Sequence, residues 1–260
     1  MISNKTLTSF FHELCDVSAR ETLPRFRVGI QVDNKQDGGF DPVTQADREA
    51  EKTIRTCIEQ HFPDHGIIGE EFPDVRVNAE YKWIIDPVDG TRAFVAGLPV
   101  WGTLVGLCRN NSPIAGMMFQ PFTDERYICA GTGTQLHHKG QVIELTTNSD
   151  KVLSNTILMS TAPELFSTSE KRVFDKVSDR CRLTRFGTDC YAYCMLASGH
   201  IGMVIESGLQ FYDIAALIPI VEQAGGVISD WNGDPITNGG RVLASANPQL
   251  HHEALTLITG

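Results

Sequence analysis

Apolar positions near the start of the chain recur at helical spacing. Leu7, Phe10, Phe11, Leu14 and Val17 share one face and predict an amphipathic helix. The polar run from Asp33 to Asp41 reads as a loop. Thr44 then opens a second helix reaching about His61, with Thr44 as N-cap and Asp47 completing a capping box. Pro63 and Gly66 end that segment, and Ile67-Ile68 predicts a very short strand delivering Gly69-Glu70-Glu71. Trp83-Ile84-Ile85 reads as a buried strand that Pro87 stops, because proline has no N–H to donate. Thr103–Cys108, Ile114–Phe119 and Arg126–Cys129 continue a β-rich pattern, and Gly131-Thr132-Gly133 has hairpin character.

Beyond about Thr146 helices and strands alternate. Helices are expected at Thr168–Asp179, Cys190–Ala197 and Asp213–Ala224, and from Pro248 onward. Strands fall between them at Arg182–Phe186, Ile201–Ile205, Gly226–Ser229 and Leu243–Ala246. That rhythm predicts a mixed α/β fold with a partly parallel sheet. With no repeat and no linker, 1–260 reads as a single domain. A β-rich lobe (1–146) and an α/β lobe (147–260) share one core.

Composition narrows the function. The chain of 260 residues is 42% hydrophobic and carries a formal charge of −10, which argues against nucleic acid or an anionic membrane as the main partner. The longest apolar run, Ile214 to Val221, is far short of the ~20 residues of a membrane helix. Seven cysteines without a CxxC pair suggest reduced thiols and a cytoplasmic protein. His137-His138 and His251-His252 lack ligand spacing and read as surface residues.

Chemistry concentrates in Asp86-Pro87-Val88-Asp89-Gly90-Thr91. Two carboxylates and the Val88 carbonyl at a strand end are the hard oxygen donors that Mg²⁺ prefers. Asp89 could also cap a following helix, leaving the N–H groups of Gly90 and Thr91 turned toward an anion. Asp213, before an apolar run, could likewise be only a cap.

Taken together, Asp41-x-x-Thr44-x-x-Asp47, Gly69-Glu70-Glu71, the Asp86–Thr91 stretch, and Tyr212-Asp213-x-Ala215 with Ala224-Gly225-Gly226 resemble the inositol monophosphatase family. The resemblance implies a Mg²⁺-dependent, lithium-sensitive phosphatase acting on a small phosphate ester. It further implies a layered α-β-α-β-α sandwich, usually homodimeric. Glu70, Asp86 and the Val88 carbonyl match the ligands of one metal; Asp86, Asp89 and Asp213 match those of a second. Two or three Mg²⁺ ions would bind per site, with Mn²⁺ as a substitute. Gly90 and Thr91 match the phosphate-binding amides. Asp47 and Thr91 match the pair that orients the attacking water, so that Asp47, Glu70 and Thr91 carry the catalytic roles. Lys35 stands near a family lysine, but its register is unsettled by the neighbouring glycines.

Arg92–Leu107, Gly187–Tyr193 and Glu206–Asp213 look like the histidinol-phosphate phosphatase branch of that family. Histidinol phosphate carries an ammonium group and a readily protonated imidazole, which the acidic pair Asp189 and Glu206 would favour over a neutral polyol. Asp189 is equally well read as a helix N-cap. An inositol-1-phosphate or broader sugar-phosphate phosphatase, and a regulatory binding protein of the same fold, are the alternatives.

Overall fold

The computed structural model describes residues 2–28, 32–34 and 42–260; Lys35 and Asp41, and most of the expected Asp33–Asp41 loop, lie outside them. Helices α1 (Asn4–Thr22) and α2 (Gln45–His61) pack together: their apolar faces, led by Phe10, Phe11, Leu14, Ile54 and Ile58, close one side of a sheet around Trp83. Between them β1 (Val32–Asn34) pairs antiparallel with β2 (Pro42–Thr44).

The sheet they cover has seven strands in sequential order: β3 (Gly66–Gly69), β4 (Tyr81–Asp89), β5 (Gly102–Arg109), β6 (Ser112–Gln120), β7 (Glu125–Cys129), β8 (Gln135–His138) and β9 (Gln141–Glu144). Only β3 and β4 run parallel; the other neighbours are antiparallel. A short helix, α3 (Thr91–Val95), joins β4 to β5. Strands β8 and β9 escape a reading by hydrophobic alternation because they are largely polar and nowhere fully buried.

The second sheet contains β10 (Ile157–Ser160), β11 (Leu183–Phe186), β12 (Met203–Leu209), β13 (Val227–Ser229) and β14 (Gly240–Ser245), in the order β11-β10-β12-β14-β13. Strand β10 is parallel to β11 and β12, whereas β14 is antiparallel to β12 and β13. Helices α4 (Thr168–Ser178) and α8 (Pro248–Thr259) cover its outer face around Phe174, Trp231 and Leu250. Between the sheets lie α5 (Asp189–Ala197), α6 (Phe211–Ile214) and α7 (Leu217–Gln223). One buried cluster there joins Leu104, Met118 and Tyr127 of the first sheet to Tyr193, Leu217 and Val204. The layers are helix, sheet, helix, sheet, helix.

Three expectations are corrected. Strand β4 does not stop at Pro87 but runs on to Asp89 through a bulge: Asp86 faces Leu104 and Asp89 faces Gly102, so one residue is extra on β4. The bulge lets the strand pass a residue that cannot donate to the ladder. The helix expected over Asp213–Ala224 is split into α6 and α7, since Pro219 cannot donate to the Ala215 carbonyl. The backbone at this break presses into the first sheet, where a Cβ on Gly116 would stand 2.2 Å from the Ala216 carbonyl oxygen. His251 is buried rather than exposed, its Nε2 2.9 Å from Ser229 Oγ. All seven cysteines are unpaired thiols, and no helix among the described residues is long and apolar enough to cross a membrane.

Candidate metal centre and active site

The bulge in β4 turns two acids toward one point. Asp86 Oδ1 accepts the Val88 N–H at 3.1 Å, which ties the carboxylate back across the extra residue. Parallel pairing sets Gly69 of β3 opposite Ile85, so Glu70 emerges beside Asp86, and their side chains are hydrogen-bonded. Asp213 arrives from α6, where its Oδ2 accepts the Gln210 N–H at 2.7 Å. It is therefore not the N-cap, which is Gln210, but the third-position partner of a capping box inside α6, and it also enters the site. One oxygen from each of Asp86, Asp89 and Asp213 lies within 4.8 Å of the others.

Burial and crowding disfavour the ionised forms of Asp86, Asp89 and Asp213. The pKa of Asp86 is raised well above the usual carboxylate range, first by burial and then by Glu70, Asp89 and Asp213. Asp89 is raised likewise, by burial and by Asp189 and Asp213, and Asp213 is pushed up to about 7, mainly by burial. Carboxyls packed so closely either share protons or hold a cation. An all-oxygen donor set of this kind fits a hard divalent ion such as Mg²⁺, and fits soft metals poorly.

A second group of atoms flanks the acids. Thr91 Oγ1 reaches both the Val88 carbonyl, at 3.0 Å, and Asp47 Oδ1, at 3.4 Å. The other Asp47 oxygen accepts the Thr44 N–H (2.9 Å) and hydroxyl (2.6 Å), the capping box expected at the start of α2. Burial pushes the Asp47 carboxyl up to about 6. Gly90 precedes Thr91 with φ +82°, and a Cβ there would also lie 3.2 Å from the Asp189 side chain.

Asp89 does not cap α3; Gly90 occupies that position, and Asp89 Oδ2 instead accepts the Cys190 N–H at 2.7 Å. Asp189 does not act as an N-cap either. It is the first residue of α5, held at φ +42°, and Thr188 before it makes no side-chain cap. Its carboxyl, raised to about 6 by burial against the opposing pull of Arg92, borders a cavity of about 280 Å³. Asp89, Thr91, Thr161, Ser207 and Asp213 line the same cavity.

Glu206 lies behind that wall. A second bulge, in β12, sets Glu206 opposite Val242 and Leu209 opposite Gly240. The buried Glu206 carboxylate accepts from the Thr161 N–H at 2.7 Å, the Thr161 hydroxyl at 3.0 Å and the Ser160 hydroxyl at 3.3 Å. Burial raises it to about 8. It meets the cavity through Thr161 rather than by lining it.

Two residues that sequence reasoning passed over hold the loop bearing Glu70. The buried Glu51 carboxylate accepts the Glu71 N–H at 2.7 Å, the Phe72 N–H at 3.3 Å and Arg55 Nε at 2.7 Å. Arg55 in turn donates to the carbonyls of Phe72 (2.9 Å) and Pro73 (3.1 Å). A Cβ on Gly69 would stand 2.1 Å from Glu51 Oε1, so the strand must carry glycine there. The available signal was an acid inside the apolar stripe of Ala50, Ile54 and Ile58.

Comparison with known proteins identifies the family and the fold. The family model described as the inositol monophosphatase family matches residues 3–259. The bifunctional phosphatase IMPL2 of Arabidopsis thaliana is 37% identical, over 93% of this chain and 72% of that protein. A histidinol-phosphatase of Chlorobaculum parvum is 33% identical over 95% and 94% of the two chains. Among solved structures, an inositol monophosphatase from Zymomonas mobilis superposes with a TM-score of 0.87 at 38% identity, covering both chains completely.

Proposed function

The chain belongs to the inositol monophosphatase family, a family of phosphatases, and from that premise we propose that it is a Mg²⁺-dependent histidinol-phosphate phosphatase. Glu70, Asp86 and the Val88 carbonyl would hold one ion; Asp86, Asp89 and Asp213 would hold another, with room for a third or for Mn²⁺. When bound, the ions supply positive charge for the attacking and leaving oxygens of displacement at phosphorus.

The protein's own groups do the rest. Asp47 Oδ1 and Thr91 Oγ1 form an adjacent pair able to orient a water and take its proton. The N–H groups of Gly90 and Thr91 bind phosphate oxygens. Cations held there would offset the mutual repulsion of the four acids. The family's homodimeric assembly and a cytoplasmic location belong to the same reading.

The substrate assignment is carried by one observation: Asp189 borders the cavity beside Asp89 and is not spent on capping its helix. A carboxylate there favours a leaving group bearing ammonium and imidazole. The relatives named histidinol-phosphatase support this reading, and the Zymomonas structure supports inositol phosphate as the second substrate. The test is kcat/KM for histidinol phosphate and for inositol 1-phosphate, in the wild type and in Asp189→Asn. Asparagine tolerates positive φ, so the backbone is kept while the charge is lost. The variant is expected to lose about tenfold on histidinol phosphate alone. A wild-type enzyme preferring inositol 1-phosphate would overturn the assignment.

A further inference from the structure

At the end of α2 remote from Asp47, three side chains converge that the phosphatase reading does not use. Cys57 and His61 are one turn apart on α2, and Glu13 faces them from α1. One ligating atom from each (a carboxylate oxygen, Sγ and a ring nitrogen) lies within 4.8 Å of the other two. Among the described residues only the acids of the active site gather in the same way. Fourteen residues of helix separate His61 from Asp47, about 21 Å at 1.5 Å per residue.

The histidine is oriented. Its Nδ1 lies 3.0 Å from the Cys57 carbonyl oxygen, which can only accept, so the hydrogen of the neutral ring sits on Nδ1. The lone pair is then on Nε2, facing Glu13 Oε2 at 3.4 Å. This is the arrangement by which a backbone carbonyl fixes the tautomer of a metal-binding histidine. The Phe10 ring, 5.0 Å from the imidazole, packs against it, and Cys57 is additionally hydrogen-bonded to Glu13. A lone pair facing a carboxylate beside a thiol is relieved by a cation, either a proton on Nε2 or a metal ion.

We propose that Glu13, Cys57 and His61 form a second metal site, for a Zn²⁺-like ion, that clasps α1 to α2. Sulfur, nitrogen and oxygen donors are the set Zn²⁺ accepts, with a water in the fourth position, and a set Mg²⁺ avoids. At metal–ligand distances of about 2.0–2.3 Å the three atoms must close by roughly an ångström. Glu13 is exposed and can turn to do so, while His61 keeps the orientation set by the Cys57 carbonyl. Binding breaks the Cys57 S–H bond and forms a metal–sulfur bond, and the proton leaves to solvent. The ion joins two helices of the first layer and stabilises the fold without touching substrate.

The test uses the full chain in excess Mg²⁺, which occupies the oxygen-only centre, and titrates Cd²⁺ while following thiolate-to-metal charge-transfer absorption. Active-site carboxylates cannot give this band. One equivalent is expected to bind with a full band, to raise Tm and to be displaced by Zn²⁺. Cys57→Ser is expected to abolish the band, and Glu13→Gln and His61→Ala to weaken binding by about tenfold or more. Glu13 is exposed, so its variant folds even if the buried serine disturbs the core. Absence of the band in the wild type, its persistence in Cys57→Ser, or unchanged affinity in both Glu13→Gln and His61→Ala would overturn the proposal.

Discussion

The backbone N–H of Cys190 donates to Asp89 Oδ2 at 2.7 Å, across 101 positions of the chain. The bond joins the bulged end of β4 to the first turn of α5. It occupies one oxygen of Asp89, and an Asp89 oxygen lies within 4.8 Å of oxygens of Asp86 and Asp213. Through it, the acid assigned to metal and the acid assigned to substrate, Asp189, belong to one rigid junction.

Asp89→Asn retains an oxygen that can accept the Cys190 N–H but removes the charge. It is expected to fold normally by circular dichroism and to lose more kcat/KM than the roughly 10–100-fold typical of an outer-shell change. Retention of most activity at saturating Mg²⁺ would remove Asp89 from the ligand set.

Glu51→Gln should act on metal binding, not on the chemical step. The loop bearing Glu70 is anchored by Glu51 through the Glu71 and Phe72 amides. The Mg²⁺ concentration for half-maximal activity is expected to rise by about tenfold, with kcat at saturating Mg²⁺ little changed. A fall in kcat with unaltered Mg²⁺ dependence would contradict this role.

The pH dependence of stability should differ with and without metal. Burial raises Asp47 and Asp189 to about 6, Asp213 to about 7 and Glu206 to about 8. Above the ordinary carboxylate range the folded chain therefore keeps protons that the unfolded chain has released. Stability of the metal-free protein should be greatest on the acid side of that window and fall as pH rises from about 4 toward about 8. Of these acids Asp213 is a proposed metal ligand, and Mg²⁺ takes the place of its proton, so the ion's stabilising effect should grow as pH rises toward about 7. Urea unfolding midpoints in chelator and in Mg²⁺ at several pH values measure both slopes. A metal-free midpoint that climbs with pH would refute the linkage.

Gly116→Ala places a methyl group where the Ala216 carbonyl already stands. Relief requires α7 to move off the sheet, at a cost of about 1–3 kcal/mol. Because Asp213 lies just ahead of this helix, Tm and Mg²⁺ affinity should fall together. A variant with unchanged Tm would show that the helix shifts freely.

The elements were legible where one face is apolar and the spacing regular: α1, α2, β5 and β6 follow directly from side-chain burial. Polar β8 and β9 lack that pattern: they are held by hairpin pairing with β7 and with each other, and no residue of either is buried. Of the site, Asp86, Asp89 and Asp213 could be found because carboxylates beside turn residues in a resembling order stand out. Their environment could not. Whether Asp89 caps α3 or receives an amide from α5 depends on a bulge, and Pro87 points to the wrong outcome when read alone. Glu51 was hidden because a charged residue in a helix reads as solvated until its burial is known.

The order in which the acids occur along the chain also matters during synthesis. Glu70, Asp86 and Asp89 leave the ribosome early, whereas Asp213 follows only on the order of ten seconds later at ordinary elongation rates. Throughout that interval the nascent polypeptide displays an unfinished, negatively charged half-cage. With the proposed ligand set, tight retention of a divalent ion would begin only after Asp213 has emerged, so metal capture would report the joining of α6 to the first sheet.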